Sequence, residues 1–115
     1  MCDRLDFEEL DWAGDSQNEL QTFCKKAGLP TGGIPWGEIV KIYALRDCEG
    51  KLEATARIEI IYDHPFVESV AVREDLRCKG FGRIIVNHTI SKAHELGYNR
   101  IWAVARVPDF PRANK

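Results

Sequence analysis

A strand that runs through a glycine-containing loop into a helix is the feature that most constrains how this chain folds. Residues 66–72 place apolar side chains on both faces, which predicts a central strand of a sheet. The loop carries the pattern R-x-x-G-x-G over residues 77–82, and residues 81–96 repeat apolar side chains at helical spacing. A second apolar strand is predicted over residues 100–106, and a helical crossover places such a strand parallel to the first.

The segment before this unit begins with a strand and a helix. Residues 4–10 alternate apolar and acidic side chains, which indicates a short edge strand. A helix is predicted over residues 17–27, because apolar side chains recur there at three- and four-residue spacing. Ser16 and Glu19 have the spacing of a capping box, in which each side chain binds a free backbone N–H at the start of a helix.

Two further strands, over residues 38–45 and 51–62, flank a turn and are predicted to pair as an antiparallel hairpin. The second of these strands alternates closely between apolar and polar side chains. This pattern is typical of a strand with one face on the core and one face in solvent. The face predicted to meet solvent consists of Glu53, Thr55, Arg57 and Glu59.

Composition narrows the class of protein. The 115 residues are predicted to form one domain, over residues 1–115. A net charge of -2 argues against nucleic-acid binding, which needs a surplus of Lys and Arg. No apolar run approaches the ~20 residues of a membrane span and no signal peptide is visible, so we expect a soluble, cytoplasmic protein that contacts no membrane. The four cysteines form no C-x-x-C pair, and we expect free thiols and no bound metal.

The glycine-containing loop has the chemistry of an anion site. Gly80 and Gly82 let the backbone approach a ligand closely, and the first N–H groups of a helix have no partner within it. Arg77, Lys79 and Arg83 add positive charge around the loop. The loop lacks the Gly-Lys-Ser/Thr of a P-loop and the third glycine of a dinucleotide fingerprint. The alternative is a glycine-rich turn that only caps the helix.

The sequence around this loop resembles the acetyl-CoA-binding motif of the GNAT superfamily of N-acetyltransferases. The run V-A-V-R-E-D-L-R-C-K-G-F-G over residues 70–82, the helix after it and G-Y-N-R-I over residues 97–101 carry the resemblance. It implies an α/β (α+β) fold with a mixed, mostly antiparallel sheet flanked by helices. Family members continue into a further helix and strands, and this chain is expected to lack that last part.

The same resemblance implies how acetyl-CoA would bind. The main chain of Ala71 and Val72 would hold the pantetheine arm, and the Val72 N–H would face the thioester carbonyl. No metal is implied. The pyrophosphate would be held by the loop and the first helical turn, namely by Arg77, Cys78, Lys79, Gly80, Phe81, Gly82 and Arg83.

Acetyl transfer to an amine needs a base that removes a proton from the amine, and Glu68 is the first candidate. It precedes Val72 by four positions, so a regular strand would place both residues on one face. A glutamate in an apolar strand is costly to bury without a partner. An ion pair with Arg57 is the alternative explanation for it. Glu59 and His64 are the next candidates.

The function implied by the resemblance is transfer of acetyl from acetyl-CoA to a primary amine by direct attack. The alternative is a CoA-binding module or fragment without turnover that acts as a binding domain. The acceptor, a small molecule or a peptide amine, cannot be predicted from the sequence. The strand predicted over residues 100–106 would leave an exposed sheet edge, which favours a homodimer that covers it.

Overall fold

The computed structural model describes residues 5–28 and 37–103, and these form a five-stranded sheet with one helix on each face. The strands stand in the order β1-β2-β3-β4-β5; the first four are antiparallel, and β5 is parallel to β4. The predicted mixed, mostly antiparallel α/β sheet is therefore confirmed. Residues 104–106 of the last predicted strand lie outside the described residues. The elements are β1 (Asp6–Leu10), α1 (Gly14–Lys26), β2 (Gly37–Arg46), β3 (Leu52–Ile61), β4 (His64–Val72), α2 (Phe81–Glu95) and β5 (Trp102–Ala103).

Successive side chains of β2 and β3 point to opposite faces of the sheet, and the buried ones therefore form two separate cores. The larger core lies under α2, where Ile85, Val86 and Ala93 of the helix meet the sheet. The smaller core lies under α1, where Leu20 meets Ile42 and Ala44 of β2. The sheet residues of the larger core are Tyr43, Leu45, Ala54, Ala56, Ile58, Val67, Val70 and Val72.

The polar side of β3 is buried, which corrects the prediction that it meets solvent. Thr55, Arg57 and Glu59 are 2%, 7% and 0% exposed. Periodicity distinguishes the two faces of a strand, but it does not show what covers each face. Here the Trp12 ring lies beside Arg57, and Leu20 and Cys24 of α1 lie close to Thr55, so that these parts of the polar side lie in the interior.

The start of α1 differs from the predicted capping box. The helix begins at Gly14, and Ala13 precedes it without any side-chain cap. Ser16 therefore lies inside the helix. The carboxylate of Glu19 instead accepts two hydrogen bonds from Arg46 of β2, at 2.8 and 2.9 Å, and such a bidentate ion pair is stronger than a bond to one N–H. Neither described helix is long and apolar enough to cross a membrane.

The cysteines are only partly the free thiols that the sequence predicts. Cys24 and Cys78 are free, but Cys48 takes part in a disulfide bond. Cys48 is exposed on the turn between β2 and β3. A disulfide requires two thiols to meet in space, and spacing along the chain does not show this.

Candidate functional site

A β-bulge in the middle of β4 decides which way its side chains point. Thr55 of β3 pairs with Ala71, whereas Arg57 pairs with Glu68, so two residues of β4 stand opposite one residue of β3. The bulge includes Ser69, whose φ of 54° is unusual for a residue with a side chain. An extra residue in one strand shifts the alternation of every side chain after it.

The bulge overturns the prediction that Glu68 and Val72 share a face. Glu68 lies opposite Arg57 and faces α1. Val72 lies opposite Ala54, and its side chain belongs to the core under α2. The sequence offers no clear sign of the bulge, because a single serine between Glu68 and Val70 fits a regular strand equally well.

The main chain of Val72 points away from β3. The N–H of Arg73 donates to the carbonyl of Glu53 at 2.8 Å, which makes these two residues a hydrogen-bonded pair. Pairs alternate along an antiparallel ladder, so Val72 and Ala54 form a non-hydrogen-bonded pair. The N–H and C=O of Val72 are therefore directed to the other edge of β4, where the Nε of Arg77 approaches the carbonyl at 3.5 Å.

The two main-chain positions predicted to hold the pantetheine arm are therefore not equivalent. Ala71 stands opposite Thr55 in a hydrogen-bonded pair, so its N–H and C=O are directed into the ladder with β3. Val72 directs the same groups to the opposite edge. This arrangement suits Val72 as a donor to a ligand better than Ala71, although both side chains are buried.

The loop before α2 presents a run of backbone N–H groups. Gly80 caps the helix with a φ of 90°, a conformation that glycine adopts without strain. The first helical bond is donated by the N–H of Ile84 to the Gly80 carbonyl, at 3.1 Å. Within the described part of the chain, the N–H groups of residues 78–81 donate to no backbone acceptor. Together with the positive end of the helix dipole, they fit an anion such as a pyrophosphate.

The charged side chains of this loop fall into two groups. Lys79 and Arg83 are exposed at the start of α2. Arg77 is partly buried, and its guanidinium donates to the Ala27 carbonyl at the end of α1, at 3.1 Å. Arg77 therefore links α1 to the end of β4, whereas the other two side chains can reach a phosphate.

A buried ion pair lies beside Glu68, and the sequence analysis did not identify it as such. The Nε of Arg57 donates to Glu59 at 2.8 Å, and the guanidinium lies 5.7 Å from the centre of the Trp12 ring. The second carboxylate oxygen of Glu59 is buried and has no hydrogen-bond partner among the described residues. The sequence does contain a signal for this ion pair, because two opposite charges stand two positions apart and a strand places them on one face. His64, the remaining base candidate, is exposed at the start of β4.

A cleft of about 650 Å³ lies between α1 and the end of β4. Its volume is within the range of ligand sites in proteins. This cleft could not be predicted from the sequence, because its walls come from three elements that are distant along the chain. The lining residues that matter here are Phe23, Lys26 and Ala27 of α1, Leu52 of β3, and Val72 and Arg73 at the end of β4.

The sequence model of the acetyltransferase (GNAT) family matches residues 7–114, and the chain therefore belongs to this family. Its enzyme class is accordingly that of the acyltransferases. No curated protein matches the sequence significantly.

Solved structures of acetyltransferases share the fold at low sequence identity. The ribosomal-protein-S18-alanine N-acetyltransferase from Escherichia coli superposes with a TM-score of 0.66 at 17% identity, over 87% of this chain and 66% of the other. Glucosamine-6-phosphate N-acetyltransferase from Arabidopsis thaliana gives 0.60 at 15% identity, over 89% and 82%. A predicted acetyltransferase with acetyl-CoA from Clostridium acetobutylicum gives 0.64 at 14%, over 89% and 81%. At these identities the likeness establishes the fold.

Proposed function

We propose that this chain transfers the acetyl group of acetyl-CoA to a primary amine by direct attack. The observation that supports this most is the position of the Val72 main chain, which is directed away from β3 just before the loop that caps α2. If the pyrophosphate of acetyl-CoA lay on that loop, the thioester carbonyl of the same molecule would lie close to the Val72 N–H. A preorganised N–H at that point stabilises the negative charge that develops on the carbonyl oxygen.

Acetyl-CoA would supply the acetyl group as a thioester, and the chain would orient it. The N–H groups of residues 78–81, together with Lys79 and Arg83, would hold the phosphates. The cleft beside Val72 provides space for a ligand at the same end of β4. Arg77 would act mainly on the loop itself, because its guanidinium is bound to the end of α1.

Glu68 would remove the proton from the amine. It lies four positions before Val72 on the strand, at most roughly 13 Å away at ~3.3 Å per residue. The proton would therefore reach the carboxylate through water. The amine nitrogen forms the bond to the acetyl carbon as the carbon–sulfur bond breaks. Of the two protons that an ammonium group loses, one goes to Glu68 and the other to the departing sulfur.

A transfer assay on the full chain tests this proposal. Release of the CoA thiol is followed with acetyl-CoA and a panel of primary amines. We expect Glu68→Gln to lower kcat by about 100-fold, the lower end of what a general base contributes, while the Kd for acetyl-CoA is unchanged. Glu49→Gln, on the exposed turn between β2 and β3, is the matched control and should retain full activity.

Two outcomes would contradict parts of this proposal. Equal activity of Glu68→Gln and the wild type would exclude Glu68 as the base. Binding of acetyl-CoA without transfer to any amine would support the alternative function, a CoA-binding module without turnover.

A further inference from the structure

The side chain of Arg73 joins three segments of the chain at the point where β4 ends. Its Nη1 donates to the Asp47 carboxylate, on the turn between β2 and β3, at 2.9 Å, and to the carbonyl of Leu52, at the start of β3, at 3.4 Å. Its Nε donates to the Asp75 carboxylate, just after β4, at 2.8 Å. One guanidinium therefore ties the end of β4 both to the turn between β2 and β3 and to the segment that follows β4.

This contact lies next to the main chain that is proposed to polarise the thioester. Among the described backbone bonds, the one from the Arg73 N–H to the Glu53 carbonyl is the last between β4 and β3, and the chain turns away from the sheet in Glu74–Leu76. The ends of secondary-structure elements open most easily. Val72 is one residue from this end, so the direction of its N–H depends on whether the end of β4 stays paired.

The two carboxylates that hold Arg73 differ in how firmly they can do so. The side chain of Asp47 is 21% exposed, whereas that of Asp75 is 64% exposed. An exposed ion pair contributes little, because water and salt screen it. Asp47 is also held in place by its own turn, since its Oδ1 accepts bonds from the N–H groups of Glu49 and Lys51 at 2.8 and 3.0 Å. The contact with Asp47 is therefore the one that anchors Arg73.

We propose that Arg73 is a positioning residue for acetyl transfer: anchored by Asp47, its guanidinium keeps the end of β4 paired and so directs the Val72 N–H at the thioester carbonyl. This inference rests on the proposed function and adds to it the side chain that orients the donor. Arg73 itself contacts no reacting atom. Its loss should lower kcat, because the Val72 N–H acts on the charge of the transition state. The Kd of acetyl-CoA should change little, because the loop N–H groups that would hold its phosphates remain.

Asp47→Asn removes the anchoring contact with little other change. The amide keeps an oxygen for the two N–H groups of the turn, and its nitrogen takes the place of the oxygen that accepts from Arg73. We expect kcat to fall about tenfold, because a misplacement of about 1 Å can cost ~100-fold. Arg73→Gln should give the same fall, and the double variant should be no worse than either single variant, since all three lose the same contact.

Asp75→Asn is the matched control, because it removes the exposed carboxylate from the same guanidinium. It should retain the kcat of the wild type. With cooperative melts, an unchanged kcat in both Asp47→Asn and Arg73→Gln would overturn the proposal. An equal fall in Asp75→Asn would overturn it as well, since any loss of charge near Arg73 would then have the same effect.

The amide NMR signal of Val72 tests the same claim without turnover. On addition of acetyl-CoA we expect this signal to move in the wild type and in Asp75→Asn, and to move much less in Asp47→Asn and Arg73→Gln, while the Gly80 amide signal moves in every protein. A Val72 signal that moves equally in every protein, or not even in the wild type, would overturn the proposal even if the chain acetylates amines. The expected pattern without any acetyl transfer would support the proposal and contradict the proposed function.

Discussion

Arg57 and Glu59 show at the residue scale how far a sequence pattern can mislead. Their alternation with apolar neighbours is typical of a solvated face, yet both side chains are buried and joined by a 2.8 Å ion pair. Removing two charges from water costs several kcal/mol, and one mutual contact recovers this only with additional hydrogen bonds. One oxygen of Glu59 has no such bond. The pair is therefore a costly feature beside the candidate base.

Breaking this pair should destabilise the fold strongly. Glu59→Ala leaves the Arg57 guanidinium buried without its partner, and we expect a loss of about 3–5 kcal/mol of unfolding free energy. The double variant Arg57→Met, Glu59→Leu should lose much less, because it leaves no buried charge. Urea unfolding measures both changes.

An exposed ion pair supplies the control for this experiment. Lys92 and Glu95 lie 3.6 Å apart on the surface of α2, and Glu95→Gln should cost at most about 1 kcal/mol. If Glu59→Ala cost no more than Glu95→Gln, the ion pair would not be buried in solution as described.

Most elements could be predicted at the scale of helices and strands, because their periodicity is regular. The strands β2 and β3 and the helix α2 have nearly the predicted bounds. The bulge at Ser69 could not be predicted, since it depends on the pairing between β3 and β4 rather than on any local pattern. This one residue places Glu68 and Val72 on different faces, and it therefore changes how the base can reach the amine.

The packing of α2 on β1 depends on an aromatic contact that should make stability depend on pH. The ring of His88 stacks on Phe7 at 3.8 Å and meets Tyr43 edge-on. Burial and, to a smaller degree, the Lys92 ammonium lower the pKa of His88 from its usual 6.5, against the opposing effect of Glu95 and Glu9.

The lowered pKa of His88 determines the direction in which stability changes with pH. Below pH 6.5 the unfolded chain binds a proton that the folded chain still excludes, so stability should fall as the pH drops from there toward the pKa of the folded state. The urea midpoint, compared between about pH 7.5 and 5.5, should fall more for the wild type than for His88→Gln. His94→Gln, at an exposed position of the same helix, should behave as the wild type. Identical pH dependence of all three proteins would contradict this role of His88.

The whole molecule combines parts that are distant along the chain, and this is where prediction from sequence reached its limit. The glycine-containing loop and its place between a strand and a helix could be predicted, because the motif is continuous. The contact of Arg77 with the end of α1 and the cleft beside Val72 could not, because each joins separate elements. The predicted homodimer across the outer edge of β5 stays a prediction, and the mass in solution by light scattering would test it.

Gly80 provides a sharp control for the binding of acetyl-CoA by this chain. Because Gly80 has a φ of 90°, the substitution Gly80→Ala should cause strain of about 1–2 kcal/mol. The same substitution should also disturb the N–H groups of the loop. Gly50 has a similar φ of 81° on the turn between β2 and β3. Gly50→Ala should therefore be destabilised to a similar degree without any effect on the loop.

The measurement that tests the central claim most directly is a thermal-shift titration with acetyl-CoA, with ATP as the phosphate control. Ligand at ~100 times its Kd adds ~2.7 kcal/mol, which raises Tm by several degrees in a domain of this size. We predict this rise with acetyl-CoA but not with ATP, in the wild type and in Gly50→Ala, and its loss in Gly80→Ala. A cooperative melt that acetyl-CoA leaves unchanged, or that both nucleotides shift equally, would contradict the assignment of the loop as an acetyl-CoA site.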